Sequence, residues 1–191
     1  MPHAPPDDAG VALVGAEQAP VLARPYYGDG PVSPITATLA HVPELLEATL
    51  PFLGAALGPG SLGARTKEIA VLRTSALLEC RYCVQSHSVV ALDTGLSAAE
   101  VRGLRGELAV DDAFSDPDDR LLLRWIDAVA GGRGSAPTEL RDEVRRALGD
   151  PGLVELTLTV GATLMLNRYC TALALPTSPA VVERLAREGL A

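Results

Sequence analysis

Aromatic side chains make up only 4% of this 191-residue sequence, and it holds a single tryptophan. Sheets draw on aromatic and β-branched residues, so this scarcity argues against a sandwich or barrel, while abundant alanine and leucine favour closely packed helices. Basic residues are also short: 16 Lys and Arg stand against 24 Asp and Glu, a net charge of −8. A nucleic-acid surface needs the opposite balance, so no nucleic acid is expected as a partner. Long apolar runs are missing too. The longest, Leu156 to Leu166, counts 11 residues between Glu155 and Asn167-Arg168, too few to cross a bilayer. Neither a basic region nor an apolar stretch follows Met1, so no signal peptide is expected, and the protein is expected to be soluble and cytoplasmic. Cysteine is scarce, at three residues. An odd, small number excludes a secreted disulfide framework and points to redox or metal chemistry inside a cell.

Against these absences stands a strong helical periodicity. From Ile35, the residues Leu39, Val42, Leu45, Leu46, Leu50 and Leu53 recur at three- and four-residue steps, with Pro43 in a first turn and Gly58-Pro59-Gly60 as the stop. Ala64 to Leu78 predicts a second helix. The segment after it runs helically to Gly95, where a left-handed cap is expected. Ser97 and Glu100 stand at capping-box spacing and open a short helix to about Leu104. Gly106 to Phe114 reads as a polar, acidic connection, followed by a helix from Asp116 through Val129. Pro137 to Leu148 is amphipathic, Gly149-Asp150-Pro151-Gly152 breaks it, Leu153 to Leu175 is the longest apolar helix, and Ser178 to Gly189 is the last. The expectation is a single all-α domain of about eight helices over residues 35–191, behind a Pro-rich N-terminal arm, residues 1–34. The arm has no periodicity of its own. Val21-Leu22 and Tyr26-Tyr27 are its candidate anchors on another surface, of which a partner subunit is one.

Reactive side chains concentrate in one place. Cys80-Arg81-Tyr82-Cys83-Val84-Gln85-Ser86-His87 holds two of the three cysteines and one of the three histidines within eight residues. At ~100° per residue, a helix carries Cys80, Cys83 and His87 on one stripe. Two cysteines three apart near a helix start can close a disulfide, the helix N-terminus and Arg81 favour a thiolate, and a histidine one turn on can carry a proton near neutral pH. These are the parts of a dithiol redox centre. Simple packing of two cysteines is one alternative. A zinc site is another, but His3 and His41 are distant and there is no second C-x-x-C, so the remaining ligands would have to be a carboxylate or a remote residue. Cys170, mid-way along an apolar helix, reads as a buried inert thiol, Trp125 as core and His41 as a local contact. Asp111-Asp112 and residues 116–119 read as a solvated acidic segment.

Glu68, then Cys80-x-x-Cys83-x-x-x-His87, then Gly95-Leu96-Ser97 and a helix near Glu100, resembles the CxxC-containing, alkylhydroperoxidase D-like branch of the carboxymuconolactone decarboxylase superfamily. The similarity covers residues 40–106 and continues more weakly to Leu166-Asn167-Arg168-Tyr169. It implies an alkylhydroperoxidase D-like helical bundle, assembled as a homo-oligomer (dimer, trimer or hexamer), with thiol-dependent peroxidase or disulfide reductase activity. By the same resemblance Cys83 matches the thiol that attacks the peroxide, Cys80 the one that resolves it, and His87 and Glu68 the proton-relay positions. Glu68 lies twelve residues before Cys80, about 120° off the stripe on an unbroken helix, so its part requires a break near Glu79. The best-known members carry a histidine two residues after the first cysteine. Tyr82 stands there in this sequence, which shortens the relay by one group. The implied partners are a hydroperoxide substrate and an external dithiol or thiol–disulfide protein as reductant. No dinucleotide fingerprint or P-loop is present, so no cofactor is expected. The competing readings are a carboxymuconolactone decarboxylase-type lyase, for which the cysteine pair is superfluous, and a non-enzymatic redox-sensing or zinc-binding protein.

Overall fold

The computed structural model describes residues 9–132 and 134–191, and over them the chain is all-helical, with nine α-helices. Ser33 accepts the Thr36 N–H and opens α1, Pro34–Leu39, and a proline at the first position opens α2, Pro43–Leu57. α3 spans Ala64–Leu77 and α4 spans Arg81–Asp93. Ser97 and Glu100 form a reciprocal capping box ahead of α5, Ala98–Leu104, and α6, Val110–Ala113, is a single turn. Asp116 accepts the Asp118 N–H at the start of α7, Pro117–Gly131. α8, Thr138–Ala172, bends at Gly149 (φ 70°, ψ 175°), and Ser178 caps α9, Pro179–Arg187. Among the described residues no helix is long and apolar enough to cross a membrane.

α3 is central. It packs against α4, α7 and α8, and its Ile69, Ala70 and Leu72 join Leu104, Ile126 and Leu156 in the main core. A surface helix would confine burial to one stripe. On α3, polar residues are buried as well: Lys67, Glu68, Thr74 and Ser75. Groups at that depth need partners. Lys67, 2% exposed, finds three: its ammonium pairs with Glu155 of α8 at 2.6 Å and donates to the carbonyls of Ala56 and Gly58 at the end of α2. Glu155 in turn accepts the N–H groups of Ser61 and Leu62 and the Ser61 hydroxyl. One ion pair thereby ties α2, the α2–α3 loop, α3 and α8 together.

Lys67, followed by Ser61, lowers the Glu155 carboxyl from 4.5 to about 2. The native state therefore binds fewer protons at this group than the unfolded state between those values. The stability it contributes is complete above pH 4.5 and is lost as pH falls towards about 2. Thermal melts of the wild type should decline steeply over that window, and Glu155→Gln should flatten the decline. An unchanged acid limb in the variant would contradict this assignment.

Four expectations need correction. The periodic run from Ile35 to Leu53 is two helices, separated at residues 40–42, where Val42 (φ −133°, ψ 78°) leaves helical geometry ahead of Pro43. The connection from Gly106 to Phe114 contains α6, and Phe114 is buried in the main core. Residues 116–119 are not all solvated: Asp119 is buried and receives Arg65, which also pairs with Glu100. In the arm, Val21 (72% exposed) and Leu22 do not anchor it on this chain, whereas Ala23, Tyr26 and Tyr27 pack with Ala40 and Leu46. The arm lies on its own chain: the Tyr27 hydroxyl donates to the Val14 carbonyl, Val14 N–H to Ala37 and Gly10 N–H to Leu173. The reading of residues 1–8 as free of a targeting signal, His3 included, falls outside the described residues.

Candidate active site

Between α3 and α4 the chain turns at Glu79, whose φ of 53° is left-handed in a residue that is not glycine. The turn closes as a helix C-terminus: Cys80 N–H reaches back to the Ser75 carbonyl at 3.1 Å, and Glu79 N–H to Ala76 at 3.1 Å. α4 then folds back along α3. Glu68 on α3 meets His87 on α4, with Oε2 2.9 Å from Nδ1. The break at Glu79 is what brings this carboxylate and this histidine within one hydrogen bond.

Cys80 is the N-cap of α4 and not part of its helical stripe, and the Cys83 N–H donates to its Sγ at 3.4 Å. Cys83 and His87 follow one turn apart on α4. All three cysteines are free thiols and buried, and they pack in one cluster with Leu175. Cys170 therefore is buried, as its sequence context suggests, but it is not remote from the reactive pair. Thiol donation from Cys170 and Cys83, and the Cys83 N–H, hold the Cys80 thiol down to about 3. Cys80, then burial, pushes Cys170 up to about 12, and contact with Cys170 and Cys80 together with burial raises Cys83. Of the three thiols, Cys80 is the one whose ionisation the cluster and the N-terminal end of α4 favour. Alkylation of Cys80 by iodoacetamide at pH 5 should thus run within a few-fold of its rate at pH 8. A slowing of roughly 10³-fold, as for an ordinary thiol whose thiolate falls tenfold per pH unit, would contradict the assignment.

Two cavities flank the cluster. The outer one, of about 240 Å³, is lined by Cys80, Cys170, Arg81 and Tyr82, with Glu79 and Ala174 on its wall. Ala174 (φ 51°) is the other left-handed non-glycine among the described residues, and it stands where Leu175 N–H closes α8 onto the Cys170 carbonyl at 3.0 Å. Strained backbone of this kind concentrates at functional sites. The inner cavity, of about 20 Å³, is lined by Cys83, His87, Ser75 and Asn167. That volume holds little more than one water-sized molecule. Asn167 is 1% exposed; its Oδ1 accepts from Ser75 Oγ at 3.1 Å, while Nδ2 has no partner among the described residues. Tyr82 lines both cavities, and burial lifts its hydroxyl to about 12.

Ser75 was not singled out by sequence reasoning, Asn167 entered only within the Leu166–Tyr169 resemblance, and Cys170 was read as an inert thiol. An amide directly after the apolar run, on a helix that stays largely buried, was the available signal for Asn167; nothing marked Cys170 as part of the site, because its contact with Cys80 spans ninety residues of chain. No group of three or more His, Cys, Asp or Glu side chains converges as a metal site among the described residues.

Residues 43–116 match the carboxymuconolactone decarboxylase family. Among solved structures, the chain is similar to an alkylhydroperoxidase AhpD core, an uncharacterized peroxidase-related protein from Ralstonia eutropha JMP134. The TM-score is 0.81 and the identity 18%, over 94% of this chain and 96% of that one. An uncharacterized peroxidase-related protein from Silicibacter sp. TM1040 superposes with TM-score 0.79 and 19% identity, over 93% and 95%. The debrominase Bmp8 in complex with 2,3,4-tribromopyrrole gives 0.78 and 18%, over 95% and 100%. At these identities the likeness is one of fold. No curated protein matches the sequence.

Proposed function

The chain carries a carboxymuconolactone decarboxylase family segment, residues 43–116, on an alkylhydroperoxidase D-like fold, and on that premise we propose that it is a thiol-dependent peroxidase. The observation that carries this reading is the inner cavity, where Cys83 shares a wall with a histidine held by Glu68. Its volume suits hydrogen peroxide or the head of a small hydroperoxide. His87 takes the Cys83 proton, with Glu68 fixing the ring and balancing the charge that develops. The Cys83 thiolate attacks the O–O bond and becomes a sulfenic acid, and the Asn167 Nδ2 donates to the departing oxygen. Cys80 as thiolate attacks the Cys83 sulfur, closes a Cys80–Cys83 disulfide and expels hydroxide, which takes a proton from solvent. An external dithiol or thiol–disulfide protein reduces the pair. Assembly of several copies belongs to the same reading, and Val154, Leu158 and Met165, exposed along α8, offer an apolar face for it.

The low pKa of Cys80 favours a second reading, in which Cys80 attacks first, in the larger outer cavity, on a peroxide or on another electrophile such as the bromopyrrole held by the debrominase. Sulfenic acid trapping with dimedone separates the two. With one equivalent of hydrogen peroxide the wild type should lose two thiols, the disulfide trapped earliest mapping by mass spectrometry to Cys80 and Cys83, and Cys80→Ser should carry its dimedone adduct on Cys83. Three surviving thiols in the wild type would sink the peroxidase reading. An adduct on Cys80 in Cys83→Ser, with none on Cys83 in Cys80→Ser, would reverse the order of attack.

A further inference from the structure

The peroxidase reading leaves one buried nucleophile idle. Cys170 comes from the last turn of α8, is 1% exposed, and packs against Cys80 and Cys83. The two cavities divide the three thiols unequally: Cys83 faces the inner one with His87, whereas Cys80 and Cys170 together face the outer one. A disulfide between Cys80 and Cys83 therefore has one sulfur on the small inner cavity, too tight for a second thiol-bearing molecule. A disulfide between Cys80 and Cys170 would have both sulfurs on the wall of the 240 Å³ cavity, with Arg81 and Thr171 beside it.

The geometry points to Cys170 as a third redox thiol that takes over the disulfide from Cys83 and presents it, as Cys80–Cys170, to the external reductant in the outer cavity. The inference rests on the peroxidase reading for the source of the first disulfide. The exchange balances without a further oxidant. The Cys170 sulfur attacks the Cys80 sulfur, the Cys80–Cys83 bond breaks as the Cys80–Cys170 bond forms, and the Cys170 proton passes to the departing Cys83 thiolate. A dithiol then reduces Cys80–Cys170 to two thiols and leaves as its own disulfide. The electrostatics give the exchange an order. Cys170 keeps its proton chiefly because it donates to the Cys80 thiolate. Once Cys80 is bonded to Cys83 that negative charge is gone, and the Cys170 thiol is released to react. Its second neighbour in the cluster, Cys83, is the group that needs the proton.

The test uses the full chain in two arms. In the first, Cys83→Ser is treated with diamide, with no peroxide present, alkylated and mapped. Closure of a Cys80–Cys170 disulfide is the expected result, and two free thiols after diamide would overturn the proposal. In the second, wild type oxidised by one equivalent of hydrogen peroxide is quenched at intervals during reduction by dithiothreitol. Both Cys80–Cys83 and Cys80–Cys170 peptides are expected, and reduction of oxidised Cys170→Ser should be at least tenfold slower than that of wild type. Only Cys80–Cys83 peptides, with an unaltered reduction rate in Cys170→Ser, would overturn it. Should Cys170→Ser not fold, Cys170→Ala and the diamide arm decide. A wild type that loses no thiols to peroxide defeats the peroxidase reading alone, because the diamide arm does not pass through it.

Discussion

Cys83→Ser is expected to lower thiol-dependent peroxide turnover by roughly 10³-fold or more while leaving the fold intact, since removing the nucleophile of a covalent mechanism costs on this scale or beyond. Serine replaces sulfur with a smaller oxygen in the same rotamer, so packing against Cys80, Cys170 and Leu175 should change little. What disappears is the chemistry: an alcohol does not ionise at neutral pH and forms no sulfenic acid. The pattern across the site should be graded. Glu68→Gln keeps a hydrogen bond to His87 but removes the charge that balances an imidazolium, and a loss of about 10²-fold is expected, the lower end of acid–base contributions. Cys80→Ser should lose steady-state turnover yet consume one equivalent of peroxide. Full turnover by Cys83→Ser in a stopped-flow peroxide assay would remove the basis of the mechanism.

Lys67→Met is expected to destabilise the protein by about 3–5 kcal/mol, as breaking a buried ion pair by removing one partner does. The cost comes from what is left behind. Glu155 keeps its hydrogen bonds from Ser61 and Leu62 but loses its countercharge, and the carbonyls of Ala56 and Gly58 lose their donor. At about 2–4 °C per kcal/mol for a chain of this size, the melting temperature should fall by roughly 10 °C. Adding Glu155→Gln should recover a good part of the loss, because the unpaired charge is then gone. A single-variant loss below about 1 kcal/mol in urea titrations would show that the pair contributes no more than an exposed one.

Much of the fold is legible in local chemistry. The capping box at Ser97 and Glu100, the left-handed Gly95, the proline start at Pro43 and the break at Gly149 all act over three or four residues, and the structure has each of them. The i to i+4 step from Cys83 to His87 is legible for the same reason. What is not legible depends on long-range packing. Glu79 carries no glycine or other turn signal for its positive φ, yet without that turn Glu68 and His87 do not meet. Lys67 looks like an exposed helical lysine until Glu155, 88 positions later, is beside it. Cys170 resembles any cysteine in an apolar helix until α8 is set against the first turn of α4.

The bond from the Gly10 amide to the Leu173 carbonyl, 2.8 Å long, has a practical use. It ends three residues beyond Cys170, on the turn that closes α8 over the outer cavity. Any rearrangement of that turn when Cys170 changes bonding partner must stretch or release it. Deuterium uptake at this one exposed amide, far from the thiols in sequence, would then report their oxidation state without a label on any cysteine.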